Sequence, residues 1–281
     1  MAITHKKGAI INPAGKHIHC QAWMPDGSLR AVLLIIHGLK EHGGRYENLV
    51  QHFVPLGYGI YTCDLPGHGQ SEGKRTYIDR FQEYPDTVAA YAGQVQNWQP
   101  DTPIILYGHS MGSLIALHHL AHHPDPYQGV VFSAPLYTAP DYVSPLLLAA
   151  GKVLSRLWPA MRILEIDVHA LSRDPEVIQA YQQDPLVVQK KTTARLGAEL
   201  RGAIQAGPQL AGMIDLPALI LQGEKDEIVD PAGAGHLHRD LGSKHKVLEC
   251  IPHAYHELHN EPPPAREKAF STLESWLERT L

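Results

Sequence analysis

The chain lacks most of what would mark it for a special environment. Cys20, Cys63 and Cys250 are its only cysteines, too few and too scattered for a disulfide framework or a CxxC metal site, so a reducing compartment is expected. It also lacks an excess of positive charge. Lys and Arg number 24 against 29 Asp and Glu, a formal net charge of -5, which gives no basic footprint for a phosphate backbone and excludes nucleic acid as an expected partner. No apolar run reaches the roughly 20 residues that span a bilayer. The most apolar long stretch, residues 143–158, is broken by Pro145, Lys152 and Arg156. The opening MAITHKKG is not followed by the apolar segment of a secretion signal, so a cytoplasmic protein is the expectation. Internal repeats, low-complexity tracts and Gly/Ser linkers are missing too, which argues against a solenoid or a string of independent domains.

What is present is the composition of a compact globular protein, 44% hydrophobic and 19% charged, in a length that buries one substantial core with room for an insertion. Ala31–Ile36 reads AVLLII, a continuous apolar run of the kind buried on both faces of a parallel sheet. Similar runs recur at Tyr58–Cys63, Ile104–Tyr107, Gly129–Phe132, Ala218–Leu221 and Lys246–Ile251. Between them, Tyr46–Pro55, Ile78–Trp98, Ser113–His122 and Pro264–Arg279 carry apolar residues at helical spacing. The alternation predicts an α/β fold, a mostly parallel central sheet flanked by helices with right-handed crossovers. Lys7–Trp23 predicts an antiparallel hairpin turning at Asn12-Pro13-Ala14-Gly15. The alternation stops between Leu136 and about Met213, a mostly helical stretch with no clear strand. The expected organisation is a core of residues 1–135 and 214–281, with residues 136–213 inserted as a helical cap folded against it.

Gly108-His109-Ser110-Met111-Gly112 follows one buried strand and opens a helix, the setting of a nucleophile elbow. A serine in such a strained turn projects its hydroxyl above the sheet, and glycines two residues to either side let neighbouring backbone pass. The hydroxyl is a poor nucleophile until a base takes its proton and a carboxylate fixes that base's tautomer. Both appear after later strands: Gln222-Gly223-Glu224-Lys225-Asp226 after one, His253-Ala254-Tyr255-His256 after the next. Asp226 and His256 are the assigned acid and base, with Glu224 or Asp230, and His253 or His259, as the alternatives. An oxyanion hole would need two backbone N–H groups. Met111, after the nucleophile, supplies one, and Leu39, in the loop after AVLLII, is assigned the other.

Here the sequence resembles the monoacylglycerol lipase, or lysophospholipase-like, group of α/β-hydrolases. The resemblance runs through HGLKEHGGRY (37–46), DLPGHGQSEG (64–73), YGHSMG (107–112), LSRDPEVIQAYQQDPL (171–186), LILQGEKDEIVD (219–230) and AYHELHNE (254–261). It implies a helical cap, a triad on Ser110, Asp226 and His256, no cofactor, and hydrolysis of one acyl chain from glycerol through an acyl-enzyme. It also implies that Glu41, Arg45, His109, Tyr181 and His259 hold the glycerol head group. Two departures stand out: Ser113 replaces the Gly that usually follows the elbow, a change expected to be tolerated, and the cap and acid-loop cysteines of some vertebrate members are absent, with Val187, Val188 and Val229 in that neighbourhood, so thiol-based regulation there does not carry over. Lysophospholipase, thioesterase or acyltransferase activity remains an alternative, as does a non-catalytic lipid-binding scaffold, against which the intact triad argues.

Weaker signals have plainer readings. Residues 142–164 offer an apolar face that either lines an acyl tunnel and touches a membrane surface or packs on the core. His118, His119, His122 and His123 read as a solvated helix end rather than a metal site. His256-Glu257-Leu258-His259 is one residue short of a zinc-protease signature. Asp64-Leu65-Pro66-Gly67-His68-Gly69 reads as a structural loop, lacking the third glycine of a dinucleotide site.

Overall fold

The computed structural model describes residues 2–139 and 153–281. Eight strands form one sheet: β1 (Ile3–Ile11), β2 (His17–Pro25), β3 (Ala31–Ile36), β4 (Tyr58–Cys63), β5 (Ile104–His109), β6 (Tyr127–Ser133), and, after the insert, β9 (Ala218–Gly223) and β10 (Lys246–Ile251). Their order is β1-β2-β4-β3-β5-β6-β9-β10. β1, β2 and β4 pair antiparallel, and every other pair is parallel. This is the expected architecture, hairpin included.

Period-two alternation sorts the strands' side chains between two cores. In β3, Val32, Leu34 and Ile36 join the cluster under α2 (Glu83–Trp98) and α3 (Met111–Leu120), while Ala31, Leu33 and Ile35 join the one under α1 (Glu47–Phe53) and the C-terminal helix. All six are buried, each of the larger side chains contributing about 1.5–3 kcal/mol. Strand order reverses at β3, whose neighbours are β4 and β5. The crevice beyond the carboxyl ends of the strands is therefore the place for a site. The loops after β3, β5, β9 and β10 carry Gly38, Ser110, Asp226 and His256.

The insert between β6 and β9 contains a strand pair absent from the sequence expectation. β7 (Arg162–Leu164) and β8 (Thr192–Thr193) pair antiparallel. Runs this short leave no periodicity to read. α4 (Pro175–Gln183) starts at Asp174, whose carboxylate accepts from Glu176 N at 2.9 Å, an N-cap followed by proline in the first turn. α5 (Ala194–Ala211), capped by Thr193, sends Leu196, Leu200 and Ala203 into the same cluster as α2 and α3. The earlier part of the insert packs through a third cluster, in which Leu171, Ile178, Tyr181 and Val187 meet Ile228 and Val229 of the loop after β9. Val187 and Val229 thus seat the insert by apolar contact. α6 (Ala232–Asp240), unmarked in the sequence reading, precedes β10, and α7 (Pro263–Thr280) ends the chain. Much of the proposed membrane face, residues 142–152, lies outside the described residues.

Candidate active site

Ser110 stands between β5 and α3 with φ 54° and ψ -119°, a left-handed conformation that costs a serine about 1–3 kcal/mol. The flanking glycines are required. A Cβ on Gly108 would come within 2.6 Å of Gly112 O, and one on Gly112 within 2.0 Å of Ile36 O. Backbone bonds from Ser110 N to Ser133 O (2.9 Å) and from Leu136 N to Ser110 O (3.3 Å) hold the turn. Ser113, the departure from the family pattern, donates its hydroxyl to Gly108 O at 2.7 Å, so the change adds a satisfied polar group.

His256 and Asp226 are brought together as assigned. His256 Nδ1 lies 2.8 Å from Asp226 Oδ2, with both residues buried. The carboxylate also accepts from Ile228 N (2.9 Å), Val229 N (3.0 Å) and Gln222 Nε2 (3.0 Å), so the acid is fixed before any substrate arrives. An ionised carboxylate only accepts, so the Nδ1 proton belongs to the histidine and Nε2 keeps its lone pair. Burial alone would lower the His256 pKa. The Asp226 charge and hydrogen bond, helped by Glu257 and Glu41, outweigh burial and hold it above its ordinary value. The alternatives fall elsewhere: Glu224 is an exposed carboxylate that accepts from His253 N, Asp230 accepts from Ala232 N, and the His253 ring is exposed.

The loop after β3 is fixed through His37. Leu65 N donates to its Nε2 (2.8 Å), which leaves Nδ1 to donate to Gly38 O (2.7 Å), a neutral tautomer consistent with burial pulling its pKa to about 3. Gly38 N donates to Glu41 Oε1 at 2.5 Å, and Lys40 takes a φ of 71°. Leu39 is held between these two anchors. Met111, at the first position of α3, has an N–H without an intrahelical acceptor, at the positive end of the helix.

The residues assigned to the head group are close together, but the charged ones bind each other. Arg45 forms a bidentate pair with Glu257, Nη1 to Oε1 at 2.5 Å and Nη2 to Oε2 at 2.8 Å, and bonds Glu41 Oε2 at 3.2 Å. Its guanidinium lies 4.6 Å from the centre of the Tyr181 ring. Glu41 also accepts from Tyr46 OH at 2.9 Å. Burial pushes the Glu41 carboxyl up despite Arg45. Burial would raise Glu257 as well, but the Arg45 charge and hydrogen bonds hold it well below the usual carboxylate range.

His109 and His259 differ again. Their rings are 5.1 Å apart, His259 stacks on Tyr46 at 4.6 Å, and His109 lies 4.8 Å from His256. Both are buried, and burial drives His109 well below its ordinary pKa and His259 to about 4. Nδ1 of His109 and both ring nitrogens of His259 have no hydrogen-bond partner among the described residues. Ser110, His256, His109, Glu41, Tyr181 and Leu39 all border one cavity of about 20 Å³, room for about one water.

Glu257 is the residue that sequence reasoning missed. It sits inside AYHELH beside the assigned base, but its partner Arg45 is 212 positions away. Its loop is also tied to the insert: Glu257 N donates to Leu171 O (2.7 Å), Ser172 Oγ to Asn260 O (2.8 Å) and Arg173 Nε to Glu261 Oε2 (2.6 Å). The histidines read as a solvated helix end are solvated only in part: His122 and His123 are exposed, but His118 contacts Ala203 O (3.0 Å) and His119 is buried against Tyr127 OH (2.7 Å).

Comparison with known proteins identifies the family. Residues 27–263 match the family described as serine aminopeptidase, S33. The monoacylglycerol lipase of Mycolicibacterium smegmatis is 35% identical over 274 residues, covering 98% of this chain and 97% of the relative. The monoglyceride lipase of Mus musculus is 33% identical over 273 residues, 97% and 90% of the two chains. Among solved structures, the monoacylglycerol lipase of Paleococcus ferrophilus superposes with a TM-score of 0.81 at 28% identity, covering 99% of each chain.

Proposed function

The chain belongs to the serine aminopeptidase S33 family of α/β-hydrolases, and from that premise we propose that it is a serine carboxylic ester hydrolase acting on monoacylglycerols. The observation that carries this reading is the buried Asp226–His256 pair, which leaves Nε2 to act as the base, on a cavity that the strained Ser110 also lines. Ser110 Oγ attacks the ester carbonyl as His256 Nε2 takes its proton. The N–H groups of Met111 and Leu39 receive the charge that develops on the carbonyl oxygen. The resulting imidazolium, stabilised by Asp226, returns the proton to the leaving glycerol oxygen. Water then attacks the acyl-enzyme by the same relay and releases the fatty acid.

The recess beside the reacting groups favours a neutral polyol over a phosphate. The described lining of the cavity contains no lysine or arginine, and it presents two carboxylates, Glu41 and Glu257, with the neutral His109. A neutral imidazole offers one donor and one acceptor, as a hydroxyl does, so His109 on the cavity wall, with the unpaired ring of His259 packed against it, suits a hydroxyl-bearing head group. Glu41 and Arg45 serve this site by shaping it, since their polar atoms are engaged with Glu257, Tyr46 and Gly38.

Residues 136–213, inserted between β6 and the strand before Asp226, form the cap, and its described surface is the point of peripheral membrane contact. Val153, Leu157, Trp158 and Met161 are all exposed, an apolar cluster suited to an interface, whereas no described helix is long and apolar enough to cross a membrane. The test is fatty-acid release from a monoacylglycerol chain-length series beside matched lysophosphatidylcholines. Turnover confined to the glycerol esters supports the reading. Equal turnover of both head groups would contradict the part assigned to the recess.

A further inference from the structure

Cys20 and Cys63 are distant in sequence but directly opposed across the antiparallel β2–β4 pair. Asp64 N donates to His19 O at 2.9 Å, which makes the neighbouring pair the hydrogen-bonded one. The two cysteines therefore occupy a non-hydrogen-bonded position, where opposed Cα atoms lie about 4.5 Å apart and side chains are closest. That separation is within the range of about 4.4–6.8 Å that disulfides span. Both are free thiols, and both side chains pack in the same cluster with Tyr91.

Cys20, although only 3% exposed, borders a pocket. The β1 residue opposite Cys20 is Gly8, and a Cβ there would meet nothing within 4 Å. This gap belongs to a pocket of about 350 Å³ that is bordered by Cys20, Lys6, Lys7, Tyr61 and Trp98. Lys6 and Lys7 are exposed and place positive charge beside the entrance.

We propose that Cys20 and Cys63 form a dithiol site, which a small anionic disulfide entering beside Gly8 converts to a cross-strand disulfide. The Cys20 thiol loses its proton to solvent and its sulfur attacks one sulfur of the reagent, expelling the first thiolate and leaving a mixed disulfide. Cys63 then loses its proton and attacks Cys20 Sγ, expelling the second thiolate. Two protein thiols are oxidised, one reagent disulfide is reduced to two thiols, and no other oxidant is needed. Burial pushes the Cys20 thiol up to about 12, so the exchange is slow near neutrality and accelerates as pH rises.

The experiment uses the full chain with Cys250→Ser, so that only this pair reacts, and dithiobis(nitrobenzoate) as the anionic disulfide. The expected result is release of two nitrothiolates per chain and a product about 2 Da lighter than the reduced protein, with no adduct. Cys63→Ala should instead release one and retain an adduct. Gly8→Val should slow the reaction by about tenfold or more while ester hydrolysis is unchanged. Dicationic cystamine should react more slowly at low salt, the difference shrinking as salt is added. A retained adduct in the Cys250→Ser protein, reaction only in denaturant, or a rate unaffected by Gly8→Val would overturn the proposal.

Discussion

The reacting groups and the recess beside them share one buried hollow but handle charge in opposite ways. His256 and His259 are three residues apart in one loop, both buried, with His109 packed against each. His256 faces the Asp226 carboxylate and is held above its ordinary pKa, while His259, with no such hydrogen bond, is pulled to about 4. The difference teaches that burial penalises charge on both rings, and a single positioned carboxylate decides which of them is raised above its ordinary pKa. In the recess Arg45 takes the hydrogen bonds of Glu257 instead, and burial keeps His109 and His259 as uncharged imidazoles.

The largest break in this contrast comes from Asp226→Asn, which removes the charge and reverses the proton pattern on His256. We expect kcat to fall by about 10⁴-fold with the fold retained, as measured by ester turnover and thermal unfolding. The next comes from Glu257→Gln, which leaves Arg45 half-paired in a buried setting and should cost about 3–5 kcal/mol in denaturant unfolding. It should also move the pH profile. Activity requires neutral His256, so kcat/KM rises with pH through that residue's raised pKa; removing the Glu257 charge, which helps to raise it, shifts this limb to lower pH. An unshifted limb would confine Glu257 to a structural role.

His259→Phe sharpens the other half of the comparison. It preserves stacking on Tyr46 but removes both free ring nitrogens, so KM for monoacylglycerol should rise about tenfold while a simple nitrophenyl ester is hardly affected. Smallest is the effect of Leu157→Asp with Trp158→Asp. Turnover of vesicle-borne substrate should drop by about threefold to fivefold, with soluble esters hydrolysed as before.

The sheet was legible because its strands are short apolar runs closed by turn residues, and β3, β4 and β10 have the bounds read from sequence. The triad candidates were legible for a related reason: each follows a strand, and strand ends converge on one crevice. Contacts set by tertiary placement were not. Arg45 and Glu257, Cys20 and Cys63, and the β7–β8 pair all join positions whose partnership no local pattern announces. Family resemblance implied a head-group role for Glu41 and Arg45, but only the structure shows their hydrogen bonds committed to each other, Gly38, Tyr46 and Glu257.

The most direct test of the account is fatty-acid release from a monoacylglycerol by the native protein and by Ser110→Ala, alongside labelling with a fluorophosphonate. The account predicts turnover and labelling in the native protein and loss of both in Ser110→Ala. Native protein that neither turns over esters nor labels at Ser110 would contradict it, leaving a lipid-binding scaffold in its place.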